Sequence, residues 1–343
     1  MDEIIVSFCI SSYCRYKVLK ELVLEILSVE SNKFDIIVCD DCSTDETYEK
    51  ITMIKDKRLK VYTNKKNMGG PFNICRTLDY GDGYYLFYIN ERDNVNSLKI
   101  KKFIGILEEL KDKKVAFAQC LPNKNLPTDY DIYEAGNDAL LTFACRIVHP
   151  TGYIFRRDIW NMITNRSVFF IKECYGDYGL TLVSAIISLK YRGSKIYGDF
   201  CDVKRKRIDF SKEKSRYLKK KKDQRMWYSA EVQWRELMIA YKFLKKIHIR
   251  NEVLDELLHL RYREYLGRIV IQYKDIIKEP ANTIHYNIKP VHCRVIVKIK
   301  SIINGIFLWN KMSNFCLICN RKNLYKLINK DTLDIYKEYF LLH

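Results

Sequence analysis

The chain has 343 residues with 60 Lys+Arg against 42 Asp+Glu, a formal net charge of +18, and is 48% hydrophobic and 30% charged. That composition supplies a sizeable core, excludes a disordered or collagen-like chain, and at about 150 residues per domain predicts roughly two folded units. The longest uncharged run, Tyr178 to Leu189, has 12 residues, well short of the ~20 apolar residues a membrane-spanning helix needs, so none is predicted.

From the N-terminus, strand and helix signals alternate. Ile4–Ile10 is an apolar, β-branched run read as a buried strand. Tyr16–Val29 places Val18, Leu19, Leu22, Val23, Ile26 and Leu27 on one helical face. Asp35–Cys39 is a short strand ending in Asp40-Asp41, and Ser43-Thr44-Asp45 opens a helix with Ser43 or Thr44 as its cap. Leu59–Thr63 is a strand. Gly69-Gly70-Pro71 starts a helix to about Tyr80, since proline fits a first turn. Tyr84–Ile89 is a strand, Ser97 opens a helix to about Leu110, and Val115–Cys120 is a further strand. Residues 121–150, with Pro122, Pro127, Gly136 and Pro150, read as loop. Gly152–Arg157 reads as a strand, and Asp177 precedes an apolar helix over Tyr178–Leu189.

Beyond Tyr197 the composition changes. Residues 204–343 hold 32 of the 60 basic residues but only 14 of the 42 acidic ones, so the whole charge excess lies there. Lys204–Arg207 and Lys219–Lys222 mark the boundary, giving domains at 1–203 and 204–343. Helical stripes follow: Ala230, Trp234, Leu237, Tyr241 and Leu244, then Val253, Leu257, Leu260, Ile269, Tyr273 and Ile276, stopped by Pro280. The second region is therefore read as basic and mainly α-helical. Its segment Val291 to Leu308 fits an interfacial helix, a buried helix or a dimer contact equally well. The 12 cysteines are read as reduced thiols, because Cys316-x-x-Cys319 lacks a second pair at zinc-site spacing.

The alternating half predicts an α/β, Rossmann-like fold with a mostly parallel sheet and flanking helices. Ligands of such sheets gather at the carboxyl ends of the strands. Three strand ends there carry Ser11-Ser12-Tyr13-Cys14-Arg15, Asp40-Asp41 and Asn90-Glu91-Arg92-Asp93. Four carboxylates on one rim repel one another unless a cation or hydrogen-bond donors join them.

These blocks resemble glycosyltransferase family 2, the inverting GT-A fold enzymes of bacterial surface-glycan synthesis. The resemblance covers about residues 4–200 and is densest over 4–95. "VSFCISSYCRYKVLKELVLEILS" is similar to the family's first strand and helix, "DIIVCDDCSTDETYE" to its second strand and D-D-x-S-x-D turn. "NKKNMGGPFNICRTLDYGDGYYLFYINERDN" resembles its N-x-G turn, next helix and the strand leading to D-x-D.

The resemblance implies an enzyme moving one sugar from a nucleotide-sugar, with UDP-sugar first among the donors, to a glycan or lipid-linked acceptor. It gives Tyr13 the stacking of the base and Asp41 the uracil N–H; Asp40 and Asp45 hold the turn or the ribose, and Arg15 lies near the phosphates. Ser12, Asn67 and Arg92 join the donor set. Asp93 is the metal ligand for Mn2+ or Mg2+, and Glu91 contacts the metal through water, or the sugar. "CYGDYGLTLVSA" resembles the segment carrying the catalytic base, which makes Asp177 the base, with Asp199 and Asp202 as weaker competitors. "HPTGYIFRR" resembles the acceptor loop, placing His149, Gly152 and Arg156 at the sugar pocket.

Departures stand at Ser11, Cys14 and Cys42, where the family usually has Pro, Asn and Gly, and at Glu91-Arg92 and Gly176. An inactive GT-A scaffold is therefore one alternative. A basic nucleic-acid-binding protein is the other, although it leaves the clustered acids unexplained. With Asp2 and Glu3 directly after Met1, a secretion signal is not read. The expected location is cytoplasmic, with the basic region suited to the inner face of an anionic membrane or to a homodimer contact.

Overall fold

In the computed structural model, residues 3–122, 129–144, 150–163, 179–202, 230–278 and 294–337 are described. The chain folds as two units, residues 1–208 and 209–343.

The first unit is built on an eight-stranded sheet of order β3-β2-β1-β4-β8-β6-β9-β7. Its strands are β1 (Val6–Ser12), β2 (Phe34–Asp40), β3 (Leu59–Thr63), β4 (Tyr85–Asn90), β6 (Phe117–Pro122), β7 (Asp129–Tyr133), β8 (Tyr153–Arg156) and β9 (Gly193–Gly198). A two-stranded ladder joins β5 (Asn94–Val95) to β10 (Cys201–Asp202). β1, β2, β3 and β4 run parallel, as do β6 and β9, while β8 and β7 run antiparallel to their neighbours.

Helices α1 (Tyr16–Leu27), α2 (Thr47–Thr52), α3 (Gly70–Asp79), α4 (Ile100–Asp112), α5 (Asn137–Phe143), α6 (Arg157–Met162) and α7 (Gly179–Ser188) flank this sheet. Alternate strand residues feed two cores. Phe8, Ile10, Ile36, Phe87 and Ile154 pack against Leu19, Val23, Phe103 and Leu107. Cys9, Ile37, Leu86, Tyr88 and Phe155 pack against Ile74, Leu78, Trp160, Leu180 and Val183. Strands buried on both faces explain why the sequence shows continuous apolar runs rather than alternation.

Three readings need correction. Residues 121–150 are not simply loop, because β7 and α5 lie within them. The first of these is an edge strand whose side chains alternate between exposed and half-buried, so proline and charge mask its period. Second, the helix at Ser43 opens later, at Thr47. Asp45 Oδ1 accepts from Thr47 N (3.3 Å) and Thr47 Oγ1 (2.5 Å), while the Ser43 hydroxyl turns to Asp40 instead. Third, strand β9 begins and ends in glycine and was not anticipated.

Gly152 is required by the backbone. It sits at φ +105°, and an added Cβ would lie 2.5 Å from the Cys120 carbonyl oxygen. Its N–H donates to Tyr88 O (3.1 Å) and its carbonyl accepts from Cys120 N (2.8 Å), so it joins β4 to β6 just before β8. The expected pocket residue is thus a backbone joint. Arg156, expected beside it, pairs instead with Asp158 (2.7 Å) at the far end of β8.

The second unit contains α8 (Ala230–Lys246), α9 (Asn251–Lys278), α10 (Arg294–Ile318) and α11 (Lys322–Tyr336). Leu237, Leu244, Leu254, Leu258, Tyr262, Leu266, Leu308, Met312, Leu324 and Ile328 form its core. Polar links tie the helices: His259 Nε2 to Asp331 Oδ2 (2.5 Å), Arg321 to Asp255, and Trp309 Nε1 donating to Asn329 Oδ1 (2.6 Å). An added Cβ on Gly305 would lie 1.5 Å from the Tyr336 hydroxyl oxygen, which donates to Ser301 O (3.1 Å). Among the described residues, no helix is long and apolar enough to cross a membrane.

Candidate functional site

The parallel register fixes which residues meet at the carboxyl edge of the first sheet. Ser12 pairs with Asp40, and Ser11 with Asn90. Adjacent strands lie about 4.8 Å apart. The pairing runs past the strands: Asp41 N donates to Ser12 O and Asn64 N to Asp40 O, each at 2.9 Å. Ser12, Asp40, Asp41 and Asn64 therefore share one rim, with Glu91–Asp93 on the next strand end.

The two aspartates after β2 do different work. Asp40 is buried; its Oδ2 accepts from Ser43 N (2.8 Å) and Thr63 Oγ1 (3.4 Å), and its Oδ1 from Ser43 Oγ. Burial pushes its pKa above 3.8, and the Ser43 hydrogen bonds oppose that rise. It holds the turn. Asp41 Oδ1 accepts from Asn64 Nδ2 (2.8 Å) and Met68 N (2.9 Å), and its Oδ2 from Gly69 N (2.8 Å). A carboxylate offers about four acceptor positions, so a fourth remains for a base N–H.

Asn64 and Asn73 complete this network and escaped the sequence reading. Asn73 Oδ1 accepts from Asn64 Nδ2 (3.0 Å), and Asn73 Nδ2 donates to Cys39 O (2.8 Å). The signal was present, since Asn64 directly follows β3 as Asp41 follows β2. Asn67, the expected donor residue, is exposed in the same turn. Asp41→Ala removes the acceptor of one Asn64 amide N–H, the other still reaching Asn73, and of two part-buried backbone N–H groups. At ~1–3 kcal/mol for a buried unsatisfied group, a stability loss of about 1–3 kcal/mol is expected, read by denaturant unfolding, together with weakened UDP binding. A stability within ~0.5 kcal/mol of the parent, the usual effect of a surface change, would remove Asp41 from this role.

Cys14 and Cys42, the departures from the family pattern, both adopt left-handed backbone, φ 53° and 59°. Glycine and asparagine reach that region at least cost, which accounts for the residues the family prefers there. The two turns interlock: Cys14 N donates to Ser43 Oγ (2.7 Å) and Thr44 N to Cys14 Sγ (3.4 Å). Tyr13, next to Cys14 in the first turn, is 39% exposed.

Arg15 Nη1 pairs with Glu91 Oε1 at 2.5 Å, with side chains 22% and 5% exposed. Arg15 was expected near phosphates and Glu91 near metal or sugar; here they join the start of α1 to the end of β4. Asp93 is buried; its Oδ2 accepts from Thr151 Oγ1, which itself accepts from Asn90 N (2.8 Å). Thr151 is a third residue missed by sequence reasoning, because its partners lie 58 and 61 positions away. Among the described residues, the buried Ser12 Oγ and the Arg92 Nε have no hydrogen-bond partner. Arg92 Nε is a charged donor of the kind that pairs with anionic oxygens.

The donor chemistry fits a hard divalent cation. Asp93 supplies a buried carboxylate, and such ions are commonly held by one or two carboxylates plus substrate phosphates. Among the described residues, His, Cys, Asp and Glu do not gather in groups of three or more as a ready protein cage, so phosphate oxygens would complete the shell. Asp177, with His149 and Gly176, lies outside the described residues. Asp199 pairs with Lys99 (3.9 Å).

A mostly parallel sheet with acidic strand ends, and the exposed Tyr13 beside them, fits a GT-A-type fold. Residues 7–161 match the family "Glycosyl transferase family 2". The chain carries a glycosyltransferase family 2 domain in its first unit.

It is 27% identical over 107 residues to the UDP-Glc:alpha-D-GlcNAc-diphosphoundecaprenol beta-1,3-glucosyltransferase WfgD of Escherichia coli, covering 31% of this chain and 42% of that protein. It is 28% identical over 109 residues to the poly(ribitol-phosphate) beta-N-acetylglucosaminyltransferase TarS of Staphylococcus aureus, covering 30% of this chain and 19% of that protein. The matched segment thus spans less than half the length of either relative. The crystal structure of S. aureus TarS 1-349 with UDP-GlcNAc shares the fold, with TM-score 0.54 at 15% identity, over 97% of this chain and 89% of that one.

Proposed function

We propose that the chain is an inverting glycosyltransferase that moves one sugar from a UDP-sugar to a hydroxyl of a glycan or lipid-linked acceptor. The observation that carries this reading is the shared rim. Asp41, with one acceptor position left, and the unpartnered Ser12 Oγ lie on neighbouring strand ends, and the unpartnered Arg92 Nε and the buried Asp93 follow β4. The names of the relatives support it, since one uses UDP-Glc on a diphosphoundecaprenol-linked sugar and the other was crystallised with UDP-GlcNAc.

The base stacks on Tyr13 and its N–H reaches Asp41. Ser12 and Arg92 donate to the diphosphate. Asp93, with Glu91 at one remove, holds a divalent cation, Mn2+ or Mg2+, which when bound neutralises charge on the departing diphosphate. The acceptor oxygen attacks the anomeric carbon from the face opposite the diphosphate while Asp177 takes its proton. The carbon–oxygen bond to the diphosphate breaks, its electron pair leaves with UDP, and the configuration inverts.

The test is a panel of UDP-Glc, UDP-GlcNAc, GDP-Man and dTDP-Glc, read by thermal shift and by sugar release, with Mn2+ or with a chelator. The UDP-sugars should stabilise the protein by about 2.7 kcal/mol at a hundredfold excess over Kd, and only with the cation present. A shift given by GDP-Man alone, or none with any nucleotide, sinks the reading.

A further inference from the structure

Helix α10 distributes its residues against the usual rule. Towards its neighbours it presents small or polar side chains among the apolar ones: Ser301 and Ser313 are buried, and Gly305 lies against Tyr336. Outward it presents Ile299, Ile302, Ile303 and Ile306, which are 48%, 38%, 58% and 50% exposed. Steps of three, one and three set these four on a single two-turn row. Large β-branched aliphatics ordinarily face a core, and contiguous exposed ones mark a surface that meets something apolar.

The charge of this stretch of sequence says what the row meets. From Pro280 to Lys330 the chain carries nine Lys+Arg and no Asp or Glu, Arg321 among them being paired with Asp255. Lys311, exposed on the same helix, has its Nζ 5.5 Å from the Phe307 ring centre. A second copy of this chain would bring a segment of the same sign against this one.

We propose that this face of α10 docks on an anionic lipid bilayer. The four isoleucines enter the boundary between headgroups and acyl chains, and the surrounding Lys and Arg side chains engage the headgroup phosphates. The proposal stands apart from the transfer reaction, and its test uses no nucleotide.

The experiment is flotation of the full chain with vesicles of phosphatidylcholine alone, and with vesicles in which about one-third of the lipid is phosphatidylglycerol, a source of the negative surface potential that attracts basic segments. Binding to the anionic vesicles alone, released at high salt, is expected. Ile302→Gln with Ile303→Gln should weaken it at least ~10-fold by removing buried aliphatic area. Lys311→Gln should weaken it about fivefold, the equivalent of ~1 kcal/mol per cation. Circular dichroism and the melting midpoint of both variants should match the parent, and Ile303→Ser serves where the pair does not fold. Three results would overturn the proposal: equal binding to both vesicles, an isoleucine variant that floats like the parent, or a parent dimer that the variant converts to monomer without vesicle binding.

Discussion

Asp93→Asn is expected to lower turnover by about a thousandfold and to abolish the part of UDP affinity that depends on Mn2+. Asparagine keeps the size of the side chain and an oxygen that accepts from Thr151 Oγ1, so the Asn90–Thr151–Asp93 chain of hydrogen bonds survives. What is lost is one negative charge on a buried group. Cation stabilisation of a developing charge is worth several kcal/mol, and ~4 kcal/mol corresponds to about a thousandfold in rate. Titration calorimetry of UDP in Mn2+ and in chelator checks it. Equal metal-dependent affinity in parent and variant would take Asp93 out of the cation site.

Asp177→Asn should give the complementary result: donor affinity unchanged, and transfer slowed by about 10²–10⁴-fold, the usual contribution of a general base. The amide cannot take the hydroxyl proton, whereas the proposed donor contacts are made by Ser12, Tyr13, Asp41 and Asp93. The pH profile adds a second readout, because the acid limb of kcat should disappear. Normal turnover would shift the search to other carboxylates. Asp199, whose carboxylate lies 3.9 Å from Lys99 Nζ, would be the next to substitute.

How legible the fold was depended on burial. Ile4–Ile10, Asp35–Cys39 and Tyr84–Ile89 were found as strands because a central parallel strand is apolar on both faces, while the edge strand Leu59–Thr63 was found from its short β-branched and aromatic run. The edge strand Asp129–Tyr133, with Asp129 and Asp131 facing solvent and the rest half-buried, had no such signature. Helix starts slipped by a few residues where a side chain had two uses, as with Ser43, which serves Asp40 rather than the helix.

For the site, strand-end position pointed to Asp40, Asp41 and Asp93. The resemblance offered the turn as one of two roles for Asp40, and the turn is the one it fills, but nothing in the sequence revealed that Asp41 accepts three bonds from the protein. Nor did it show the Arg15–Glu91 pair, because contacts across 76 positions leave no local pattern. Asn64, Asn73 and Thr151 stayed hidden for the same reason: each acts by bridging elements distant in sequence.

Gly305 and Tyr336 have a mechanical consequence. A phenol seated where a side chain would otherwise stand works as a peg in a notch. Its hydrogen bond to the Ser301 carbonyl, one turn away, keeps the peg from sliding along the groove. Rolling α10 about its own axis to hide the isoleucines would drive the ring into the next turn of backbone. The greasy row is therefore locked outward, and water bears its exposure until another surface takes its place.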